Sequence, residues 1–245
     1  MILSVVQKPI STIPKWIVIL FLSALILQLV WHQNLPNKMA KAEILPGSVE
    51  SNTLKVVSMG EPEVLAKLLM LWLQAFDNQP GVSIPFKSLD YNKLETWLSH
   101  ILELDPRANY PLLAASRIYT EVPDEKKQRQ MMELVYQSFL KNPKQRWPWL
   151  AHVTVLAKHR LEDYPLALKY AQALADNKLS NDVPAWVRQL QIVVLEDVGE
   201  LETVRMLIGG LIQSQVITDR KELFWLEQRL KNLEAAESKK SFGIR

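Results

Sequence analysis

Cysteine is absent from the 245 residues, which excludes disulfides, cysteine-ligated zinc and thiol catalysis. Glycine is scarce, seven in all, so a phosphate-cradling loop has little to be built from. No Walker loop, GxGxxG or GxSxG occurs. Acidic residues are missing from the first 41 positions, where Lys8, Lys15, Lys38 and Lys41 are the only charged side chains apart from any histidinium. Removing those four lysines from the 29 basic residues leaves 25 against 26 acidic residues from Ala42 onward. The positive excess therefore belongs to the leader, and the body has no electrostatic footprint for nucleic acid. The histidines are His32, His100, His152 and His159. The last two stand seven apart, about two helical turns, yet no acid lies one turn from His152 and no HExxH occurs. These gaps argue against a metal site, a cofactor and an enzyme, and leave recognition as the expected class of function.

What is present first is an apolar run. Trp16 to Trp31 reads WIVILFLSALILQLVW, sixteen residues without a charge. As a helix it would be about 24 Å long, against a hydrocarbon core of about 30 Å. Trp16 and Trp31 stand at its two ends, where indole rings favour the headgroup interface. A cleaved signal peptide and a buried core helix are the competing readings. The small-x-small site Ala40-Lys41-Ala42 lies well beyond the run, which argues against cleavage, and no cysteine follows to carry a lipid. An uncleaved transmembrane anchor over 16–31, after a flank at 1–15, is the expectation. Lys8, Lys15 and the amino terminus precede the span, and Lys38 and Lys41 follow it, a one-charge bias toward a cytoplasmic amino terminus. In a bacterium that places the chain in the inner membrane as a single-pass protein with a periplasmic body. Residues 32–59 mix Pro, Asn, Ser and Lys with little periodicity. They read as a linker holding the body off the bilayer, with a short extended stretch near Leu54–Val57.

Beyond the linker the chain carries a repeat. Tyr110-Pro111, Trp147-Pro148 and Val183-Pro184 stand 37 and 36 residues apart, and Asp105-Pro106 and Asn142-Pro143 repeat with a 37-residue step. A period in this range marks stacked helical hairpins, in which one unit leans on its neighbours to bury its apolar face. The hydrophobic spacing predicts a helix from Gly60 to Phe76, a loop with apolar plugs over Val82–Asp90, and a helix over Tyr91–Leu104. It then predicts helical pairs: Pro111–Thr120 with Asp124–Lys141, Pro148–Leu161 with Pro165–Asn177, and Pro184–Val198 with Leu201–Gln215. Asp219–Glu237 follows as a capping helix, and 238–245 as a disordered tail. Gly209-Gly210 inside a helix suggests close approach of another helix. The expected fold is thus all-α, a right-handed helical-hairpin solenoid over 60–237 after a single transmembrane helix.

The stretch Leu156-Ala157, Asp163-Tyr164-Pro165-Leu166-Ala167-Leu168-Lys169-Tyr170 and Leu174 resembles the core of a tetratricopeptide repeat (TPR). Asn142-Pro143 and Asp105-Pro106 resemble the proline that closes each such repeat. Three features depart from that pattern. The turn before Asp163 is about two residues short, Arg160 stands where an aromatic is usual, and the period is 36–37 against 34. The resemblance covers residues 105–215, and the whole chain also resembles a group of membrane-anchored proteobacterial repeat proteins. It implies a TPR-like scaffold and no activity.

A scaffold of this kind binds a protein or peptide partner, here in a cell-envelope assembly or process. Self-association through the exposed apolar ends of a short solenoid, and an enzyme with an unrecognised site, are the alternatives. Six tryptophans (Trp72, Trp97, Trp147, Trp149, Trp186, Trp225) are spread over the helices and serve first as core anchors. Trp147 and Trp149 flank Pro148, where one side chain is expected to face a groove, with Trp149 placed at its centre. Four residues after the three prolines stand Ala115, His152 and Arg188, and two further on stand Arg117, Thr154 and Leu190. Equivalent offsets on stacked helices share a surface, so Arg117, Trp149, His152 and Arg188 are the expected partner-binding residues, suited to acidic groups.

Overall fold

The computed structural model describes residues 14–34, 43–76, 78–79, 82–176, 183–214, 217 and 219–242, with side chains of the last helix described as far as Ala235. The chain divides into two compact units, Met1–Ala42 with Pro80–Val82, and Glu43–Gln79 with Ser83–Arg245.

In the first unit, α1 spans Lys15–Asn34, 20 residues with no buried side chain. Its apolar residues point in every direction, as a helix solvated by lipid requires. At 1.5 Å per residue it is about 30 Å long, with Lys15 and His32 to Asn34 adding polar ends to the sixteen-residue apolar run. It is the one helix among the described residues long and apolar enough to cross a membrane. Lys8, Lys38 and Lys41, which enter the orientation argument, lie outside the described residues.

Among the described residues from Glu43 onward the regular structure is helical apart from the two-residue strands Asn78–Gln79 and Val82–Ser83. It contains α2 (Ser51–Val57), α3 (Pro62–Gln74), α4 (Tyr91–Leu104), α5 (Tyr110–Leu113), α6 (Glu125–Lys141), α7 (Pro143–His159), α8 (Tyr164–Asp176), α9 (Ala185–Val198), α10 (Leu201–Gln213) and α11 (Arg220–Phe242). The starts are set by local chemistry. Asp90 accepts from the backbone N–H of Asn92 and Lys93, Asp124 from Lys127 and Asp163 from Leu166, each satisfying an orphan donor of the helix it opens. Pro62 and Pro143 sit in first turns, where their missing N–H costs nothing. Gly199 ends α9 in the left-handed region at φ 82°, and the Glu200 N–H returns to the Leu195 carbonyl.

Several expectations are corrected. Pro148 does not open a helix: α7 begins at Pro143, and Pro148 lies inside it, so Asn142-Pro143 starts a helix rather than closing a repeat. The break is tolerated because Pro148 is exposed, which leaves the unpaired Lys144 carbonyl on the solvent side. The expected linker is folded from Glu43 onward. Leu45 and Leu54 are buried in the main core, and Leu54–Val57 is helical rather than extended. Lys93 Nζ donates to the Leu45 carbonyl at 2.9 Å and Trp97 Nε1 to the Pro46 carbonyl at 3.1 Å, so α4 holds this segment in place. α11 continues to Phe242, into the expected tail. A Cβ at Gly209 or Gly210 would meet no atom within 4 Å, so no helix approaches closely there.

Each helix from α6 to α11 packs on the next, and α4 also touches α6 while α7 touches α9. One core runs from Leu45 to Val194, and a smaller one gathers Ile192, Leu195, Val204, Ile208 and Leu226. Side-chain links between elements recur at separations near the sequence period. Arg129–Asp163, Lys169–Glu133, Arg188–Glu222 and Arg229–Glu196 join residues 33 to 36 apart. Lys158 reaches Asp197 and Arg160 reaches Glu121 in the same manner.

Because Gly209 and Gly210 face open space, Gly209→Ala and Gly210→Ala are each expected to raise stability by about 0.5–1 kcal/mol, the usual cost of glycine in a helix. Chemical denaturation of the full chain in detergent measures this, and a loss of stability would show that α10 packs more tightly than its open surroundings indicate.

Candidate functional site

The helix that starts at Tyr110 does not continue as an α-helix. From Ala114 to Ile118 it widens into a π-turn, closed by the Tyr119 N–H on the Ala114 carbonyl at 2.9 Å. Ala114, Ala115 and Ser116 are buried, so the turn offers a close-fitting face of small residues to the core. Widening by one residue leaves carbonyls free of the helical ladder, and such turns are frequent at functional sites. The Ser116 carbonyl accepts from Thr120 Oγ1 at 2.7 Å and also faces the imidazole of His152 on α7. Arg117 stands on the outer side of the turn, exposed, and no carboxylate pairs with it among the described residues.

His152 is half-buried against this turn. Burial and then the Arg117 charge push its imidazole below the ordinary value, opposed by Glu121 and the Ser116 carbonyl. Trp149 lies three residues before His152, on the same side of α7. It packs on the core, and its Nε1–H is buried with no acceptor among the described residues. Trp147 meets Trp186 of α9 edge to face at 6.3 Å, tying the two helices by their rings.

The structure thus brings Arg117 and His152 together, with Trp149 on the same helix. It treats Arg188 differently. That guanidinium bonds Glu222, buried on α11, at 2.9 Å and the Val183 carbonyl at 3.2 Å, so it joins α9 to α11 and its charge is neutralised within the fold. The offset count fails at other places too. Ala115 is buried, and Thr154 is buried with Oγ1 bonded to the Leu150 carbonyl at 2.7 Å. Pro111, Pro148 and Pro184 occupy three different helical positions, so equal offsets from them do not share a face.

Two participants escaped sequence reasoning. Arg160, the residue that stands where the repeat usually has an aromatic, bonds Glu121 at 2.8 Å and thereby takes the carboxylate nearest to His152 out of service. Arg146 is buried with no carboxylate. It donates to the Ser138 and Pro106 carbonyls at 2.9 and 3.0 Å, capping the ends of α6 and α4 beside a cavity of about 380 Å3. The cluster that remains has one uncommitted cation and a half-buried imidazole, the Trp149 Nε1–H being buried away from solvent. It can hold an acidic or carbonyl group by charge-assisted and neutral hydrogen bonds. Comparison of the chain with protein-family models, curated proteins and solved structures finds no match.

The lowered His152 value gives a pH signature. The fold favours the neutral imidazole, so this contribution to stability is complete above the ordinary value of 6.5 and is lost as the pH falls through it toward the lowered folded value. Denaturant midpoints between pH 7.5 and 5 are expected to fall with a slope that His152→Gln reduces. An unchanged slope in that variant would assign the acid sensitivity to other groups.

Proposed function

We propose that the chain is a membrane-anchored, TPR-like scaffold whose body binds a protein or peptide partner in a cell-envelope process. In this reading α1 is a single-pass anchor in the inner membrane, and the one-charge bias of its flanks favours a periplasmic body. The helices of the body stack as hairpins in a right-handed solenoid. Two features support that stack: the 36–37-residue period, and side-chain links that join residues 33 to 36 apart.

The observation that carries the binding role is the unneutralised Arg117 beside the half-buried His152. Six other arginines of the body, Arg107, Arg129, Arg160, Arg188, Arg205 and Arg229, have a carboxylate partner within the fold. An exposed guanidinium left over on a π-turn, next to a half-buried imidazole, suits an acidic group of a partner segment. Arg188 leaves the binding set and becomes part of the scaffold.

The two arginines separate experimentally. In the protein's own membrane, a photo-crosslinker near the π-turn is expected to capture a partner. Arg117→Ala should weaken that capture by on the order of 2 kcal/mol, roughly thirty-fold in Kd, while helicity is kept. Arg188→Ala strands the buried Glu222 and should instead lower stability, by about 1–3 kcal/mol, with capture by the folded fraction unchanged. Full capture by folded Arg117→Ala would remove this face from the account. Alkaline phosphatase joined to the carboxyl terminus reports the side of the membrane, and an inactive fusion would reverse the orientation.

A further inference from the structure

Among the described residues, α3 carries an apolar stripe on its outward side. α3 buries Ala66, Met70 and Leu73 on its inner side. Val64, Leu68 and Leu71 point outward with 51, 57 and 65 % of their surface exposed. Their spacing of four and three residues makes a single stripe two turns long. A lone exposed leucine needs no explanation, but a stripe that occupies the position of a solvated polar face does. The residues just before α3 add to it. α2 ends in exposed Val56 and Val57, and the turn that follows presents Met59, 92 % exposed, at a left-handed φ of 50°. A bulky side chain is rarely held in that region of backbone space.

Chain length suggests what covers this surface. α1 ends at Asn34, and the body takes hold of the chain at Leu45 and Pro46 through Lys93 and Trp97 of α4. Ten residues lie between, a reach of at most about 35 Å, whereas the 28 residues expected as a free linker would allow about 100 Å. α3 packs directly on α4, the helix that grips this short tether. Charge selects the mode of contact. The exposed charges on α3 are Glu63, which pairs with Arg107, and Lys67, so no cationic cluster is present to seek anionic headgroups. Burial of apolar side chains at the boundary between headgroups and acyl chains is the remaining driving force.

We propose that Val64, Leu68 and Leu71, with Met59, rest in the interfacial layer of a lipid bilayer, so that the amino-terminal end of the body lies on the membrane instead of standing off it. The inference rests on α1 being a membrane span. The test separates the two claims, and the absence of native cysteine makes it clean. Single variants Leu25→Cys in α1, Leu68→Cys and Leu71→Cys in α3, and Lys126→Cys in α6 each carry a nitroxide label on the full chain in phosphatidylcholine–phosphatidylglycerol vesicles. Power saturation compares access to oxygen, which dissolves in lipid, with access to a water-soluble nickel chelate. Labels at 25, 68 and 71 are expected to favour oxygen, and the label at 126 the chelate. If 25 favours oxygen while 68 and 71 behave like 126, α1 is a span and the proposal fails. If 25 also favours the chelate, the span itself fails and the proposal with it. Dipolar broadening between labels at 68 would mean that a second copy covers the stripe, which overturns the lipid contact in favour of a dimer.

Discussion

No helix of the body buries its apolar side by itself, and the side chains that join the helices reach across about one repeat. Arg129 to Asp163, Glu133 to Lys169, Arg188 to Glu222 and Glu196 to Arg229 are all separated by 33 to 36 residues. Each of these links ties a helix to the next helix but one or to the residue that caps it, from α6 to α8 or from α9 to α11. Most of these ion pairs are partly exposed, so each stabilises weakly; burial of residues such as Phe139, Leu150 and Tyr170 supplies most of the cohesion. The pairs set register. The identity of the charged residue matters less than whether a neighbouring helix provides its acid.

That condition decides which basic residues are left without an acid inside the fold. Arg117 and Arg188 look equivalent in the sequence, each a basic residue shortly after a proline that opens a helical run. Arg188 meets Glu222, a buried acid on α11, whereas Arg117 sits on a π-turn whose nearest acid, Glu121, is already bonded to Arg160. The same π-turn presents the Ser116 carbonyl to His152. One extra residue in one helical turn therefore leaves Arg117 exposed while the buried Ser116 carbonyl faces His152.

The amino-terminal part follows a different logic. α1 is apolar on all sides and has no inner face to bury, while α3 has an inner face in the core and an apolar outer one. Between them the chain is gripped by Lys93 and Trp97 at Leu45 and Pro46, so little of it is left as a spacer. The short tether and the uncovered stripe are independent observations.

Much of this molecule was legible in the sequence because it depends on local chemistry. Tyr91–Leu104 is helical over the range its periodicity indicates, and Asp124, Asp163 and Gly199 mark helix ends through hydrogen bonds made within a few residues. The apolar run of α1 announces itself by composition alone. Proline was less informative. Pro111, Pro148 and Pro184 look alike in the chain, yet one lies in a first turn, one inside a helix and one at a cap, because packing of the first turn of α7 extends that helix back to Pro143. The partners of Arg146 and Arg188, the lack of one for Arg117 among the described residues, and the open space at Gly209-Gly210 depend on residues brought together from distant positions. Composition and periodicity determined that helices would form and roughly where. Which charges are neutralised, and which face is left uncovered, was decided by the tertiary structure, because neutralisation and burial are properties of neighbours in space.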